Sequence, residues 1–124
     1  MTFGDFSAIK PIEIAPGYHA RFMHTDTHTF SYVEVEPGKP IPMHSHPHEQ
    51  ISLVQEGEFE LTVGDETRVC APNVPVLIQG DVVHGGRSIT ACKILDIFTP
   101  VREDYKKLSE GYTRQGSSDS GNDN

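Results

Sequence analysis

Short runs of alternating apolar and polar residues fill most of this chain, and Gly, Pro, Asn and Asp turns separate them. Such runs predict β-strands, because successive side chains of a strand point to opposite faces. The predicted strands are residues 18–24, 29–36, 41–46, 50–55, 58–63, 67–71, 74–78, 82–89 and 91–98. The run at 74–78 is continuously apolar, which predicts a strand that is buried on both faces. About nine short strands favour a β-sandwich or barrel, with jelly-roll topology as the leading candidate.

One segment near the C-terminal end predicts a helix instead. Residues 102–110 have two acidic side chains in the first turn and two lysines later, and Gly111 is expected to end the helix. Residues 113–124 have no apolar side chain and predict a disordered tail. A chain of 124 residues has the size of one domain, which we place at residues 1–112.

The charge of the chain limits its partners. It has 10 basic and 18 acidic residues, a net charge of −8, and no basic run. This balance argues against nucleic acid or an anionic membrane as partner. No apolar run approaches the ~20 residues of a membrane-spanning helix, and the first residues lack a secretory signal, so we expect a cytoplasmic protein. Cys70 and Cys92 lie in apolar runs and are expected to be free buried thiols.

A cluster of histidines carries most of the functional information. His44, His46 and Gln50 have even spacing, so on one strand they would point to the same side. Two imidazoles at this spacing can bind one metal ion through neutral ring nitrogens, and a glutamine can add an amide oxygen. His84, beside two glycines, is the candidate for a remote fourth ligand. The combination predicts a divalent metal site, although a pair of histidines alone is a weak signal.

The other histidines are interpreted differently. His48 has the same parity as the ligands, but four ligands already fill a typical metal site, so we expect it either beside the ligands, without contact to the metal, or at the rim. His19, His24 and His28 are expected at the surface or at the mouth of the barrel.

Two segments resemble the motifs of the cupin family. Residues 38–57 resemble the first motif, with Gln where many cupins have Glu, and residues 79–84 resemble the second, which supplies one more histidine. The second match departs from the pattern at three positions: Asn73 stands in place of Gly, Gln79 in place of Pro, and Ser88 in place of Asn. The resemblance implies a double-stranded β-helix barrel that holds a divalent metal ion.

A finer resemblance covers roughly residues 17–108. The segments HSHPHEQISLVQEGEFELTVG and LDIFTPVREDY are similar to those of small pectin-degradation cupins of the KdgF type. That resemblance implies an isomerase-like enzyme that opens 4,5-unsaturated monouronates, released from pectin or alginate by lyases, into linear keto sugars. It implies metal ligands at His44, His46, Gln50 and His84, and active-site roles for Asp96, Phe98 and Arg102.

These residue types suit that reaction. Three imidazoles and an amide are neutral, so a bound divalent ion keeps its full charge and attracts an anion such as a uronate. Arg102 can bind the carboxylate through two hydrogen bonds, and Asp96 can move a proton during the conversion of enol to ketone. Phe98 can present an apolar face to the sugar, and the metal can polarise a substrate oxygen.

Each of these roles has a structural alternative. Asp96 can act as a cap or pair with Arg102, Phe98 can be an ordinary core residue, and Arg102 can be a surface residue at the start of the helix. Two other functions also stay open, namely an Fe(II)-dependent dioxygenase and a sugar-binding or sensing module without catalysis. The sequence does not choose between Zn, Ni, Mn and Fe, nor between pectin, alginate and glycosaminoglycan as the source of the sugar. Exposed strand edges favour a homodimer.

Overall fold

The computed structural model describes residues 2–116. Among these residues the chain forms ten strands, a C-terminal helix and one 3-10 turn at Phe6–Ala8. The strands are β1 (Ile12–Ala15), β2 (Tyr18–His24), β3 (Thr29–Val35), β4 (Pro40–His44), β5 (Glu49–Glu56), β6 (Phe59–Val63), β7 (Glu66–Cys70), β8 (Pro75–Ile78), β9 (His84–Ser88) and β10 (Cys92–Thr99). The helix, α1, spans Glu103–Gly116.

The strands form two antiparallel sheets. The six-stranded sheet has the order β1-β2-β3-β10-β5-β8, and the four-stranded sheet has the order β4-β9-β6-β7. Consecutive strands therefore repeatedly cross from one sheet to the other, as in a jelly roll. The predicted fold class, an all-β barrel with one C-terminal helix, is confirmed.

The hydrophobic core lies between the two sheets. Its side chains come from alternate positions of the strands, as β3 shows, where every second residue is buried. The buried cluster consists of Ile12, Tyr18, Ala20, Phe22, Val33, Val35, Val54, Phe59, Cys70, Cys92 and Ile94. Each large apolar side chain buried here contributes about 1.5–3 kcal/mol to folding. Both cysteines are buried free thiols, as predicted.

The centre of the six-stranded sheet arranges three rows of side chains. Strand β10 pairs with β3 on one side and β5 on the other, so alternate residues of β10 each have two partners. The outer row is Thr29, Phe98 and Gln50; the middle row is Ser31, Asp96 and Ser52; the inner row is Val33, Ile94 and Val54. Successive rows are two residues apart, which corresponds to about 7 Å along the strand. This register positions the functional side chains described below.

Two details of the predicted elements are wrong. Strand β8 is not buried on both faces, because only the face toward the core between the sheets is covered: Ile78 is fully buried, whereas Leu77 is 56% exposed. Helix α1 does not end at Gly111 but continues to Gly116. A glycine inside a helix lowers the stability of the helix by only about 1 kcal/mol relative to alanine, and this cost is too small to end the helix by itself. Residues 113–116, expected in the disordered tail, are therefore helical, and residues 117–124 lie outside the described part of the chain.

Two of the departures from the second cupin motif suit the conformation or contacts of their positions. Asn73 has a φ of 73°, a left-handed conformation that glycine favours and that asparagine tolerates better than most residues. Ser88 is fully buried, and its hydroxyl donates to the carbonyl of Glu36 at 2.6 Å and accepts from the amide of Lys39 at 2.9 Å. Ser88 therefore ties the turn between β3 and β4 to β9.

No helix within residues 2–116 is both long enough and apolar enough to cross a membrane.

Candidate metal centre and active site

Three histidines from three different segments meet at one end of the barrel. His44 is the last residue of β4 and His84 is the first of β9, and the register pairs them directly, with ring centroids 4.3 Å apart. His46 lies in the connection between the two sheets, with its ring centroid 4.8 Å from that of His84. One ring nitrogen of each histidine lies within 4.8 Å of the others, so the three can hold a metal ion.

The connection that carries His46 is held against the turn before His84. The backbone amide of Asp81 donates to the carbonyl of His46 at 2.8 Å. Gly80 lies so close to the carbonyl of Pro47 that a Cβ atom there would collide with it. The two histidine-bearing segments, which are far apart in sequence, therefore support each other.

The hydrogen bonds of the three rings leave one nitrogen of each for a ligand. In every ring Nδ1 donates to a backbone carbonyl two residues away: His44 to Pro42 at 2.9 Å, His46 to His48 at 3.1 Å, and His84 to Val82 at 2.9 Å. A carbonyl only accepts, so Nδ1 carries the proton and Nε2 carries the lone pair. Metal-binding histidines are oriented by the same kind of bond.

Gln50 brings its amide oxygen to the same place from the other sheet. Its Oε1 lies 3.1 Å from Nε2 of His46, and its amide nitrogen donates to Ser52 Oγ at 3.0 Å. Ser52 in turn donates to a carboxylate oxygen of Asp96 at 2.5 Å, which fixes the direction of the amide. Two acceptor atoms, His46 Nε2 and Gln50 Oε1, therefore face each other.

The electrostatics of this cluster suit a cation. Nε2 of His84 is buried and has no hydrogen-bond partner among the described residues. A bound cation would interact with the lone pair of this nitrogen. It would also relieve the repulsion between Nε2 of His46 and Oε1 of Gln50, which are both acceptors. Burial lowers the pKa of His46 and His84, and the positive charge of Arg102 lowers both further, so the rings are neutral at pH 7. Neutral imidazole is the form that binds metal.

The cluster lies at the mouth of a cavity of about 110 Å³ between the sheets. His44 is exposed at this mouth, whereas His84 is only 3% exposed. Asp96 and Phe98, both on β10, line the same cavity, as does Arg102. Burial raises the pKa of Asp96 to about 6, although its hydrogen bonds from Ser52 and Gln50 act in the opposite direction.

Arg102 is buried, with 9% of its surface exposed, and is not a surface residue at the start of the helix. Its guanidinium carbon lies 4.8 Å from the ring centroid of Phe98 and 3.9 Å from that of Tyr105. Asp104 accepts from Nε at 3.0 Å and from Nη2 at 2.7 Å, and these bonds lower the pKa of Asp104. In this structure Arg102 is thus held by Asp104, while the carboxylate of Asp96 is bonded to Ser52.

All seven predicted site residues line this one cavity, but the reason given for three of them is wrong. His44, His46 and Gln50 do not share one strand, because β4 ends at His44 and Gln50 belongs to β5 in the other sheet. Phe98 is both a core residue and a cavity residue. It is 3% exposed, it lines the cavity, and its ring centroid lies 5.7 Å from that of His46.

Sequence reasoning missed three residues that support the site, namely Ser52, Asp104 and Tyr105. Ser52 has the same parity as Gln50 on a predicted strand, so its position beside Gln50 was a usable signal. Asp104 and Tyr105 stand in the segment LDIFTPVREDY, but nothing in the sequence indicated that they would hold Arg102.

Two of the histidines placed outside the site take part in contacts elsewhere. His19 pairs with Glu36 at 2.9 Å near the surface, and His24 bonds to Thr29 at 2.9 Å. His48 is nearer to the site, because its ring centroid lies 5.5 Å from that of His46.

Comparison with known families identifies the fold. The cupin domain family matches residues 31–98, more than half of the chain. The chain belongs to the cupin family. No curated protein sequence is similar enough to count as a match.

Solved cupin structures resemble the chain over most of its length. An RmlC-like cupin from Shewanella frigidimarina has a TM-score of 0.80 at 24% identity, covering 85% of this chain and 96% of that one. KdgF from a Halomonas species has a TM-score of 0.79 at 24% identity, covering 84% and 99%. The polyketide cyclase RemF from Streptomyces resistomycificus has a TM-score of 0.72 at 21% identity, covering 80% and 79%. At these identities the likeness establishes the fold.

Replacing Ser52 with alanine is expected to weaken metal binding ten- to hundredfold, the usual cost of losing a partner that orients a ligand. Without Ser52 the amide of Gln50 loses the bond that directs its oxygen toward His46. Competition with a chromophoric chelator measures the effect. Ser31→Ala is the matched control, because Ser31 is also buried and lies beside Asp96 on the opposite side. Equal losses in both variants would contradict the role of Ser52.

Proposed function

We propose that this cupin is a metal-dependent enzyme that opens the ring of 4,5-unsaturated monouronates to give linear keto sugars. The observation that carries the proposal is the meeting, in one cavity, of three histidines and one glutamine with Asp96 and Arg102. The similarity of the segment LDIFTPVREDY to KdgF-type cupins supports the same reaction.

His44, His46, His84 and Gln50 would hold the metal ion. When bound, a divalent ion supplies Lewis-acid polarisation of a substrate oxygen, and with neutral ligands it keeps its full charge. The donor set of imidazole and amide is compatible with Zn, Ni, Mn or Fe, and the choice among them stays open.

Ring opening is an isomerisation that needs proton transfers but no oxidant. The hydroxyl on the anomeric carbon loses its proton, the bond between that carbon and the ring oxygen breaks, and the ring oxygen takes up a proton to become an enol. Conversion to the ketone then moves the proton from the enol oxygen to the neighbouring C4. In our proposal Asp96 carries these protons, because it lines the cavity and its pKa of about 6 leaves it ionised but more basic than an ordinary carboxylate at pH 7.

Arg102 is proposed to bind the carboxylate of the sugar. Asp104 engages two of its five N–H groups, and the guanidinium carbon lies over both the Phe98 ring and the Tyr105 ring. A guanidinium that is already oriented loses little freedom when a carboxylate binds. Phe98 would then exclude water from one side of the sugar, since its ring is buried and lies near both Arg102 and His46.

The test is the loss of ultraviolet absorbance from the 4,5 double bond when metal-loaded protein is mixed with lyase-generated unsaturated monouronate. We expect decay faster than the spontaneous rate, and a return to the spontaneous rate when a chelator is added. If the absorbance decays only at the spontaneous rate with each of the four candidate metals, the proposed reaction is overturned. Oxygen uptake by iron-loaded protein would point instead to a dioxygenase.

Arg102→Lys is expected to raise KM about tenfold or more while kcat changes little. Lysine keeps the charge but cannot bind a carboxylate through two parallel hydrogen bonds, and losing a charged hydrogen bond costs about 1.5–3 kcal/mol. Steady-state kinetics on the unsaturated monouronate measures the effect. Arg68→Lys is the control, because Arg68 is exposed on β7. A wild-type KM in Arg102→Lys would contradict the assignment.

Two further expectations stay predictions. A homodimer would have twice the 13.7 kDa mass of the chain by light scattering. The cytoplasmic location likewise rests on the sequence.

A further inference from the structure

The cavity continues inward beyond the residues assigned to catalysis. The outer row of the six-stranded sheet includes Gln50 and Phe98, and the middle row includes Asp96 and Ser52. The inner row, two residues further along each strand, consists of Val33, Ile94 and Val54. All three inner residues line the cavity, and Phe59 and Leu61 of the four-stranded sheet line it as well. We refer to the space lined by these five residues as the inner chamber.

The inner chamber offers little to a polar group. Tyr18 also lines the cavity, but its hydroxyl already donates to the carbonyl of Lys39 at 2.7 Å. Burial raises the pKa of the Cys70 thiol, so this lining group is uncharged at neutral pH. A hydroxyl placed in such surroundings without a partner weakens binding about tenfold or more. The polar groups of a ligand are therefore confined to the outer and middle rows.

The size of the cavity limits what can enter. The whole cavity, which includes the space at the outer and middle rows as well as the inner chamber, has a volume of about 110 Å³, and an apolar cavity of about 150 Å³ binds benzene or xenon. A short hydrocarbon group fits in such a space, whereas a long alkyl chain does not.

We propose that the inner chamber is a second binding subsite, which takes a small hydrocarbon group of a ligand whose anionic end lies at Arg102 and the metal centre. The placement of the anionic end rests on the proposed function, whereas the assignment of the chamber rests only on the residues that line it. The ligand class is a carboxylate or enolate with a polar head and a short apolar body.

Binding of simple carboxylates to the zinc-loaded full chain tests the proposal by calorimetry. From acetate to hexanoate we expect affinity to rise about three- to fourfold for each added methylene until the chamber is full. We expect 6-hydroxyhexanoate to bind at least tenfold more weakly than hexanoate, because its hydroxyl would be buried without a partner. Equal affinities for acetate and hexanoate would overturn the proposal.

Two variants on β3 provide a matched pair. Val33 and Val35 are each 3% exposed, but of the two only Val33 lines the cavity. Val33→Thr is expected to weaken hexanoate binding about tenfold and to leave acetate binding unchanged, whereas Val35→Thr should change neither. Equal effects of both variants on hexanoate would contradict a role for the chamber.

Xenon binding tests the chamber in the metal-free wild-type protein, so the result depends neither on the metal nor on a substitution. We expect xenon to shift the methyl resonances of Val33, Val54 and Ile94 in the metal-free protein. If no carboxylate binds but these shifts occur, the proposed anion site fails and the chamber stands. If xenon leaves all three residues unshifted, the chamber proposal fails whatever the activity of the enzyme.

Discussion

Replacing His84 with alanine is expected to lower the affinity for divalent metal by more than the ten- to hundredfold that loss of an orienting partner costs. His84 is the most buried of the three histidines, and its Nε2 is a buried atom that has no hydrogen-bond partner among the described residues. Its removal leaves His44 without the ring that it faces across the β4–β9 pair. Ring opening, if it depends on the metal, should be lost as well.

Metal content after dialysis and competition with a chromophoric chelator measure this loss. The control is His28→Ala, which removes a histidine at the turn between β2 and β3, where its Nδ1 pairs with the neighbouring Thr27 hydroxyl. Thermal unfolding of the metal-free proteins shows whether each variant folds. Stoichiometric, tight metal binding by His84→Ala would remove the basis for the metal centre.

Asp96→Asn is expected to lower kcat between about a hundredfold and ten-thousandfold, the range that a general acid or base contributes. The amide keeps the size of the carboxylate, and its oxygen can still accept the hydrogen bond from Ser52. It cannot take up and return a proton. Metal affinity should stay within about tenfold of the wild type, because the bonds that orient Gln50 survive.

The difference between these two measurements distinguishes a proton carrier from a residue that only positions Gln50. A positioning role would lower metal affinity and activity together, whereas a proton carrier lowers kcat alone. Asp65→Asn, in the exposed turn between β6 and β7, is the matched control. Wild-type kcat in Asp96→Asn would exclude a proton-carrying role for this residue.

The strands and the histidines could be predicted from sequence because both depend on local patterns. Alternation between apolar and polar residues follows from the geometry of a strand, and most predicted strand limits lie within two residues of those observed. Gln50 was predicted as a ligand for the wrong geometric reason. Its approach to His46 depends on the chain crossing between sheets after His44, which spacing along the sequence does not reveal.

The features that sequence could not supply depend on tertiary contacts. Strand β8 is apolar on both faces yet exposed on one of them, since burial depends on what packs against each face of the sheet. Strand β1 is short and lies between two prolines, and it is visible only through its pairing with β2. The burial of Arg102 likewise depends on α1 packing over the barrel, where Tyr105 stacks on Phe22 at 4.7 Å.

X-ray absorption spectroscopy of the metal-loaded protein tests the central claim most directly, that the two sheets together build one centre of three imidazoles and an amide. For zinc, we predict a first shell of nitrogen and oxygen only, at about 2.0–2.2 Å, with the outer-shell scattering of three imidazole rings. Ser52→Ala should keep the three imidazoles and disturb only the oxygen contribution. A sulfur shell at about 2.3 Å, or scattering from fewer than three imidazoles, would contradict the claim.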